Sequence, residues 1–254
     1  MNGTISRRSL ANKKIVVCDL DGTLASSKSP IEKDVSEVLS QFLIYKKMAV
    51  ISGGKYEQFQ KQFLAGITKD PELLSNLYLF PTCATAFYMF KDGDWRQVYA
   101  ENLKSDEKDK IFSAFEHALA SSGYKRPEKS FGEIIEDRGT QITFSALGQK
   151  APLELKKAWD PDQSKRKVIR SYLEQLIPEF EINLGGTTSI DVTRKGIDKA
   201  YGIRKICEHL NYKVEDMLFI GDALFEGGND YPVKQVGVEC IQVSGPSETK
   251  AILQ

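Results

Sequence analysis

The stretch Ile15-Val16-Val17-Cys18-Asp19-Leu20-Asp21-Gly22-Thr23 decides how the rest of the chain is interpreted. Its first four residues form a short apolar run without polar alternation, which is typical of a strand buried on both faces of a parallel sheet. Asp19 and Asp21 follow at the carboxyl end of that strand, where ligands bind in open α/β sheets. Two carboxylates held this close repel each other unless a cation lies between them or one takes a proton. The stretch therefore predicts a site for a hard cation such as Mg²⁺ or, as the alternative, an Asx-type turn.

The composition excludes several classes of protein. The 254 residues are 41% hydrophobic, enough to bury the core of one large or two smaller domains. The 35 basic and 35 acidic residues leave no formal net charge, so we expect neither a nucleic-acid nor a membrane partner. The segment 1–14 lacks the apolar stretch of a secretory signal, and the four cysteines include no C-x-x-C pair. We expect a reduced cytoplasmic protein, either a monomer or a homodimer.

Strands and helices alternate on both sides of a central segment. Further apolar strand-like runs lie at 48–51, 77–80 and 217–220, with helical periodicity between them. This alternation predicts a parallel sheet with right-handed crossovers. From about residue 85 to about residue 185, hairpin signals and two helices predict a largely antiparallel sheet covered on one side. We therefore expect an α/β core made of residues 1–84 and 186–254, and an inserted α+β domain at 85–185.

Two segments mark the predicted ends of the insert. Phe87–Phe90 and Arg96–Tyr99 flank an Asp-Gly turn, which is a strong hairpin signal, and we assign this hairpin to the insert. From Ser189-Ile190-Asp191-Val192 onward the first pattern resumes, so we assign this strand to the core.

Polar groups follow further apolar runs of the core. Ser52 precedes two glycines whose backbone N–H groups could face an anion, and Lys199 opens a helix. Asp222 ends another strand shortly before Asn229 and Asp230. Each is unremarkable alone, as a turn former or a solvated residue. Together, acids, a hydroxyl and a lysine suit phosphoryl transfer, where catalysis is mostly positioning and charge neutralisation.

On these residues the sequence resembles the haloacid dehalogenase superfamily of phosphotransferases, subfamily IIB. Within it, the chain looks most like the eukaryotic-type phosphomannomutases, from about Lys14 to the C-terminus. The resemblance implies a HAD-like Rossmannoid fold, with a three-layer parallel-sheet core and an inserted α+β cap of the C2 type. The matching segments are Asp19-Leu20-Asp21-Gly22-Thr23-Leu24, Ile51-Ser52-Gly53-Gly54, Gly185–Val192, Lys199, Gly221-Asp222 and Gly227–Asp230.

Carried over residue by residue, the resemblance implies that Asp19 is the nucleophile and forms an aspartyl-phosphate. Asp21 would be the general acid and base, and its backbone carbonyl would bind Mg²⁺. Asp222 would complete the implied metal ligands through its side chain. Ser52 and Lys199 would hold the transferring phosphoryl group, with Lys199 also offsetting the charge on Asp19.

The resemblance also implies supporting residues. Asp230 and Asn229 would support the metal or orient Lys199 from outside its ligand shell. Gly53 would bind the phosphate through its backbone. At the hinge, Pro81-Thr82-Cys83-Ala84 stands where related enzymes usually have Glu-Asn-Gly.

The cap residues bear on the reaction. A mutase acting through a sugar bisphosphate needs cationic side chains, ideally arginines, for a second phosphate. Where the mutases are expected to carry three arginines, this chain has Arg138, Gln149 and Lys156. Arg138 has the alternative interpretation of a solvated turn residue. Ser189 and Asp191, which the mutases use for the sugar, are retained.

These differences favour hydrolysis of a sugar phosphate or a similar small phosphomonoester. The alternative is a phosphomannomutase that interconverts mannose 1-phosphate and mannose 6-phosphate through a hexose 1,6-bisphosphate. A minor alternative is a non-catalytic sugar-phosphate sensor, which detectable Mg²⁺-dependent turnover would exclude.

Overall fold

The computed structural model describes residues 10–27 and 29–254. The prediction about the N-terminal segment therefore falls mostly outside the described residues. The chain divides into two units: a core unit, formed by the described residues up to Ala100 together with Asp198–Gln254, and an insert unit, Glu101–Ile197.

Strands and helices are numbered separately in chain order over the described residues. The strands are β1 (Ile15–Asp19), β2 (Lys47–Ile51), β3 (Leu77–Phe80), β4 (Ala86–Lys91), β5 (Asp94–Ala100), β6 (Ile135–Asp137), β7 (Ile142–Ser145), β8 (Phe180–Gly185), β9 (Ser189–Arg194), β10 (Met217–Gly221) and β11 (Glu239–Gln242). The α-helices are α1 (Lys33–Phe42), α2 (Tyr56–Phe59), α3 (Pro71–Leu74), α4 (Ser105–Ser121), α5 (Leu153–Trp159), α6 (Ser164–Leu176), α7 (Lys199–Leu210), α8 (Tyr231–Gln235) and α9 (Pro246–Leu253). A π-helical turn, Gln60–Leu64, continues α2, and a 3₁₀ turn, Val214–Asp216, precedes β10.

The core unit is built on a seven-stranded sheet in the order β11-β10-β1-β2-β3-β4-β5. The five strands from β11 to β3 are parallel, and β4 and β5 extend the sheet antiparallel. Both faces of β1 are buried: Val16 and Cys18 belong to one apolar cluster, and Ile15 and Val17 to the other. Burying each such aliphatic side chain contributes roughly 1.5–3 kcal/mol. This is the predicted three-layer arrangement, and it explains why the sequence of β1 is an unbroken apolar run.

The insert unit has a four-stranded antiparallel sheet in the order β6-β7-β9-β8. Alternate residues of β7 and β9, namely Ile142, Phe144, Ile190 and Val192, face one way and form an apolar cluster with residues of α4 and α6. The predicted antiparallel sheet covered on one side by two helices is therefore present.

The boundaries of the insert differ from those predicted at 85 and 185. The hairpin β4–β5 belongs to the core sheet, because β4 pairs with β3 through Tyr78↔Met89 and Leu79↔Tyr88. Its aromatic residues pack on core residues: Phe87 stacks on Phe80, with ring centroids 4.5 Å apart. At the other end, β9 pairs with β7 and β8 and lies in the insert sheet. Both corrections have one cause, since a strand pattern predicts pairing but not which sheet supplies the partner.

None of the helices in the described part of the chain has the length and hydropathy needed to cross a membrane.

Candidate active site

Three carboxylates meet at the carboxyl ends of adjacent core strands. β1 and β10 are parallel neighbours, with Cys18 opposite Ile220, so Asp19 and Asp222 come just past paired positions. Asp230 follows in the loop before α8. Asp19, Asp222 and Asp230 each offer a carboxylate oxygen, and these oxygens lie within 4.8 Å of one another. The structure thus brings the first and last acidic motifs of the sequence together in one site.

Lys199 lies among these carboxylates. Its ammonium is 2.6 Å from Asp19 Oδ1 and also forms an ion pair with Asp230. The side chain is only 3% exposed, and it is placed there by the first turn of α7, where Asp198 caps the helix through the Tyr201 N–H. Burial lowers the pKa of Lys199, but the two carboxylates raise it by more, so the ammonium stays charged.

Burial and mutual repulsion disfavour the charged forms of Asp19 and Asp222, although Lys199 lies nearby. Burial raises the pKa of Asp19, the Asp230 and Asp222 charges raise it further, and Lys199 opposes them. Burial, followed by repulsion from Asp230, raises the pKa of Asp222 as well. A hard divalent cation with oxygen ligands would offset this repulsion. The side chains of Asp19 and Asp222 therefore fit the Mg²⁺ expected from the sequence.

A close backbone approach fixes the position of Asp222. Gly22 has a φ of +91°, and a Cβ added to it would lie 2.4 Å from Asp222 Oδ2. Only glycine allows both the left-handed turn and this contact. Asp230 is held differently, since its second oxygen accepts the Ala223 N–H at 2.9 Å while the first pairs with Lys199. Asp230 thus orients Lys199, whereas Asn229 is exposed and its supporting role stays a prediction.

The Ser52 loop lies at the end of β2, which neighbours β1 with Ile51 opposite Asp19. Ser52 is buried, and its Oγ accepts the Gly54 N–H at 3.1 Å. The loop is tied to the segment Thr82–Ala84, because the N–H groups of Thr82 and Cys83 donate to the carbonyls of Gly54 and Ser52, both at 2.9 Å. The register thus places Ser52 and Gly53 beside Asp19, at the edge of the sheet where the sequence predicted them.

The segment Thr82–Ala84 is a left-handed turn without glycine. Thr82, Cys83 and Ala84 have φ angles of 50°, 56° and 66°, a region that costs roughly 1–2 kcal/mol per non-glycine residue. Thr85 Oγ1 donates to the Thr82 carbonyl at 2.7 Å, and Tyr99 Oη donates to the Ala84 carbonyl at 2.8 Å. These bonds hold the turn that anchors the Ser52 loop.

Asp21 has a partner that the sequence did not reveal. Gln62 Nε2 donates to Asp21 Oδ1 at 2.9 Å, and the Gln62 side chain is buried. Gln62 lies on the π-helical turn after α2, in a segment that also carries the buried Phe59, Phe63 and Leu64. A glutamine among buried apolar residues was the available signal, and it is equally consistent with a solvated helix position.

The insert sheet carries a polar face opposite its apolar one. Cross-strand register places Glu136, Thr143, Asp191 and Asn183 in one row across all four strands. Thr143 Oγ1 donates to Asp191 Oδ1 at 2.8 Å. Ser145 and Ser189 form a second pair, with their hydroxyl oxygens 3.1 Å apart.

The predicted cap residues Gln149 and Lys156 join this face through Ser145. Gln149 Nε2 donates to Ser145 Oγ at 2.5 Å, and the buried Lys156 ammonium donates to the Gln149 carbonyl at 2.7 Å. Arg138 Nε donates to Glu136 Oε2 at 2.9 Å, and the Arg138 side chain is only 4% exposed. The alternative of a solvated turn residue at Arg138 is therefore wrong. The structure thus brings Ser189, Gln149 and Lys156 together, and the row through Glu136 and Thr143 links Arg138 to Asp191.

Sequence reasoning missed Gln141, Thr143, Ser145 and Thr193 on the polar face, all of them buried. The signal was present as polar–apolar alternation with period two in both β7 and β9. It did not single these residues out, because such alternation ordinarily marks a solvated sheet face.

A buried ion pair supports the turn between β8 and β9. Arg166 Nε donates to Asp160 Oδ2 at 2.7 Å, and both side chains are at most 2% exposed. Arg166 Nη1 also donates to the carbonyls of Gly185 and Gly186. The pair therefore fixes the glycine turn that precedes Ser189, with additional hydrogen bonds of the kind that a buried pair requires.

Comparisons with known proteins agree with this architecture. The family model for eukaryotic phosphomannomutases matches residues 35–254. Phosphomannomutase 2 of Dictyostelium discoideum is 24% identical over 255 residues, covering 96% of this chain and 97% of its own. The phosphomannomutase of Encephalitozoon cuniculi is 28% identical over 251 residues, covering 93% and 91%.

Solved structures share the fold. An N-terminally truncated IMP-nucleotidase of Plasmodium falciparum superposes with a TM-score of 0.71 at 17% identity, covering 99% of this chain and 72% of that chain. A haloacid dehalogenase-like hydrolase from Bacteroides thetaiotaomicron gives 0.60 at 15% identity, covering 94% and 98%. The fold is therefore that of the haloacid dehalogenase superfamily, as the motifs predicted.

Proposed function

The chain belongs to the eukaryotic phosphomannomutase family, and from this premise we propose that it transfers phosphoryl groups of sugar phosphates through an aspartyl-phosphate on Asp19. The observation that best supports this is the buried Lys199, which contacts both Asp19 and Asp230. An ammonium 2.6 Å from a carboxylate favours the ionised and therefore nucleophilic form of that carboxylate.

In the first step, an oxygen of Asp19 attacks phosphorus, and the bond between phosphorus and the substrate oxygen breaks. The departing oxygen takes a proton from Asp21, which later accepts one from the incoming hydroxyl or water. Lys199, the Ser52 hydroxyl and the Gly53 N–H group stabilise the charge on the phosphoryl oxygens. Asp19, Asp222 and the Asp21 carbonyl would hold Mg²⁺, which when bound adds further charge neutralisation at these oxygens.

The first candidate reaction is interconversion of mannose 1-phosphate and mannose 6-phosphate through a hexose 1,6-bisphosphate. Membership of the family and the phosphomannomutase names of the relatives support this reaction. From the sequence alone, the residues that replace arginines in the cap had favoured hydrolysis instead. Ser189 and Asp191, which the resemblance assigns to the sugar, lie together on the polar face of the insert sheet.

The second candidate is hydrolysis of a sugar phosphate or similar small phosphomonoester, and the cap charges favour it. The Arg138 guanidinium is paired with Glu136, and Gln149 is neutral. The Lys156 ammonium donates to a backbone carbonyl. A second phosphate would therefore find fewer arginine side chains able to bind it through two parallel hydrogen bonds than the three expected in a mutase.

One assay separates the two candidates. Mannose 1-phosphate is supplied with Mg²⁺, with and without catalytic glucose 1,6-bisphosphate, and mannose 6-phosphate and free phosphate are both measured. A mutase forms mannose 6-phosphate faster than free phosphate and depends on the bisphosphate, whereas a hydrolase releases phosphate alone.

The proposed nucleophile has its own test within this assay. Asp19→Asn is expected to abolish both products, because an amide is a poor nucleophile for phosphorus. Asp92→Asn, on the exposed β4–β5 turn, is the matched control and should keep wild-type rates. Turnover by Asp19→Asn would exclude the aspartyl-phosphate, and absence of turnover by the wild type on every sugar phosphate would favour the sensor. A cytoplasmic location and a monomeric or homodimeric state stay predictions.

A further inference from the structure

Gln62 is buried in the core unit, and its side chain makes two hydrogen bonds of opposite sense. Its Nε2 donates to Asp21 Oδ1 at 2.9 Å, and its Oε1 accepts from Gln58 Nε2 at 3.0 Å. The side chain is 4% exposed, so water does not compete freely for either bond. Because an ionised carboxylate can only accept, the N–H end of the Gln62 amide faces Asp21 and its oxygen faces Gln58.

The backbone around Gln62 departs from regular α-helical geometry. Gln60–Leu64 is a π-helical turn, a rare conformation that occurs mostly as single turns within helices and is frequent at functional sites. The Gln62 carbonyl accepts the Ile31 N–H at 2.7 Å, which ties the turn to the segment that follows the acidic motif. The backbone position of Gln62 is thus set independently of its side chain.

We propose that Gln62 is a positioning residue for the general acid and base Asp21. This inference rests on the proposed function, since it assigns Asp21 that role. An amide N–H can only donate, so Asp21 Oδ1 must accept, and the transferable proton is carried on Oδ2. Gln62 thereby selects the carboxyl oxygen that protonates the leaving group and holds it in one orientation.

Transfer of the phosphoryl group to Asp19 requires only the substrate and the proton on Asp21. The bond from phosphorus to the leaving oxygen breaks as the bond from phosphorus to Asp19 forms, and the proton on Asp21 Oδ2 passes to the leaving oxygen. A leaving group that forms a stable anion departs with little help from protonation. A basic leaving group departs readily only when it is protonated, so the rate enhancement from Asp21 grows with leaving-group basicity.

The experiment uses this dependence. The values of kcat/KM are measured for Gln62→Met on 4-nitrophenyl, phenyl and 4-methoxyphenyl phosphate, which leave phenols of increasing basicity at similar size. We expect Gln62→Met to lose about tenfold more on phenyl phosphate than on 4-nitrophenyl phosphate, a part of what a general acid contributes. Gln60→Met, on the exposed side of the same π-helical turn, is the matched control and should show equal small effects on all three esters.

Asp21→Asn and Gln58→Met complete the test. Asp21→Asn should show the same dependence more steeply, and Gln58→Met should show it more weakly, because it removes only the bond that orients Gln62. A uniform loss across the three esters in Gln62→Met, with a steep dependence in Asp21→Asn, would overturn the positioning role. A flat response in Asp21→Asn itself would instead refute the acid–base role of Asp21, and with it the inference.

Discussion

Asp222 lies in a cluster with Asp19 and Asp230, and its carboxylate is repelled by Asp230 more strongly than it is attracted by Lys199. Lys199 pairs with Asp19 and Asp230, while Asp222 is packed against Gly22 with its pKa raised by burial and by Asp230. A bound divalent cation would relieve this repulsion only in the folded state. At the scale of the residue, the consequence is a stability that depends on the metal.

We therefore expect Mg²⁺ to raise the melting temperature of the wild type, since a ligand at 100 times its Kd stabilises by about 2.7 kcal/mol. EDTA should reverse the shift and abolish turnover. Asp222→Asn should melt at nearly the same temperature with Mg²⁺ and with EDTA, because a ligand and its charge are lost together. Thermal unfolding followed by circular dichroism measures this, and an undiminished Mg²⁺ shift in Asp222→Asn would contradict the proposed ligand set.

At the scale of the element, the left-handed turn Thr82–Ala84 holds the Ser52 loop in place but has an unfavourable backbone conformation that lowers the stability of the folded state. Cys83→Gly removes the strain of a left-handed non-glycine residue, which costs roughly 1–2 kcal/mol. It also raises the conformational entropy of the unfolded chain, which destabilises the folded state by roughly 0.5–1 kcal/mol. The difference predicts a stabilisation of up to about 1.5 kcal/mol in urea unfolding. Cys83→Ala keeps the strain and serves as the control, with a smaller change. A Cys83→Gly protein no more stable than Cys83→Ala would show that the turn carries no net strain.

A second element-scale prediction concerns the start of α4. Glu107 accepts hydrogen bonds from Arg194 Nε at 2.9 Å and from the Lys104 N–H at 2.7 Å, which ties α4 to β9. The Arg194 hydrogen bond lowers the pKa of Glu107 to about 2, below its usual value. The stability it contributes is therefore fully present above the unfolded-state pKa and is lost as the pH falls toward about 2.

Glu107→Gln should consequently be less stable than the wild type at pH 7, by a modest amount because the pair is partly exposed. The difference should shrink steadily as the pH is lowered from about 5 to about 3. Urea unfolding of both proteins at matched ionic strength measures it. A difference that is constant over this range would exclude the ion pair as its source.

At the scale of the whole molecule, the division into two units predicts how fragments behave. The insert unit has its own apolar cluster, and Arg194 also donates to the Asn102 carbonyl at 2.8 Å, so its ends are joined. We expect the fragment 101–197 to unfold cooperatively in urea. The fragment 85–185 lacks β9 and carries the aromatic hairpin without β3, so it should aggregate or show no cooperative transition. The opposite behaviour of the two fragments would favour the boundaries expected from the sequence.

Much of the fold could be predicted because β1, β2 and β10 are buried on both faces and are apolar runs in any context. The acidic motifs were found for the same reason, since Asp19 and Asp222 stand at or just past the ends of such strands. Sheet membership of the hairpin β4–β5 could not be predicted, because pairing partners distant in sequence leave no local mark. Gln62 was missed because one polar residue on a helix has the same pattern whether it faces solvent or a carboxylate.

The insert leaves the core after β5 and returns immediately before α7, whose first residue is Lys199. The chemical groups attributed to phosphoryl transfer all come from the core, on either side of that interruption. The insert of a related protein could therefore replace the residues between Ala100 and Asp198 without changing any of these core groups. We expect chimaeras joined at these two points to retain aspartate phosphorylation and to acquire the substrate preference of the donor.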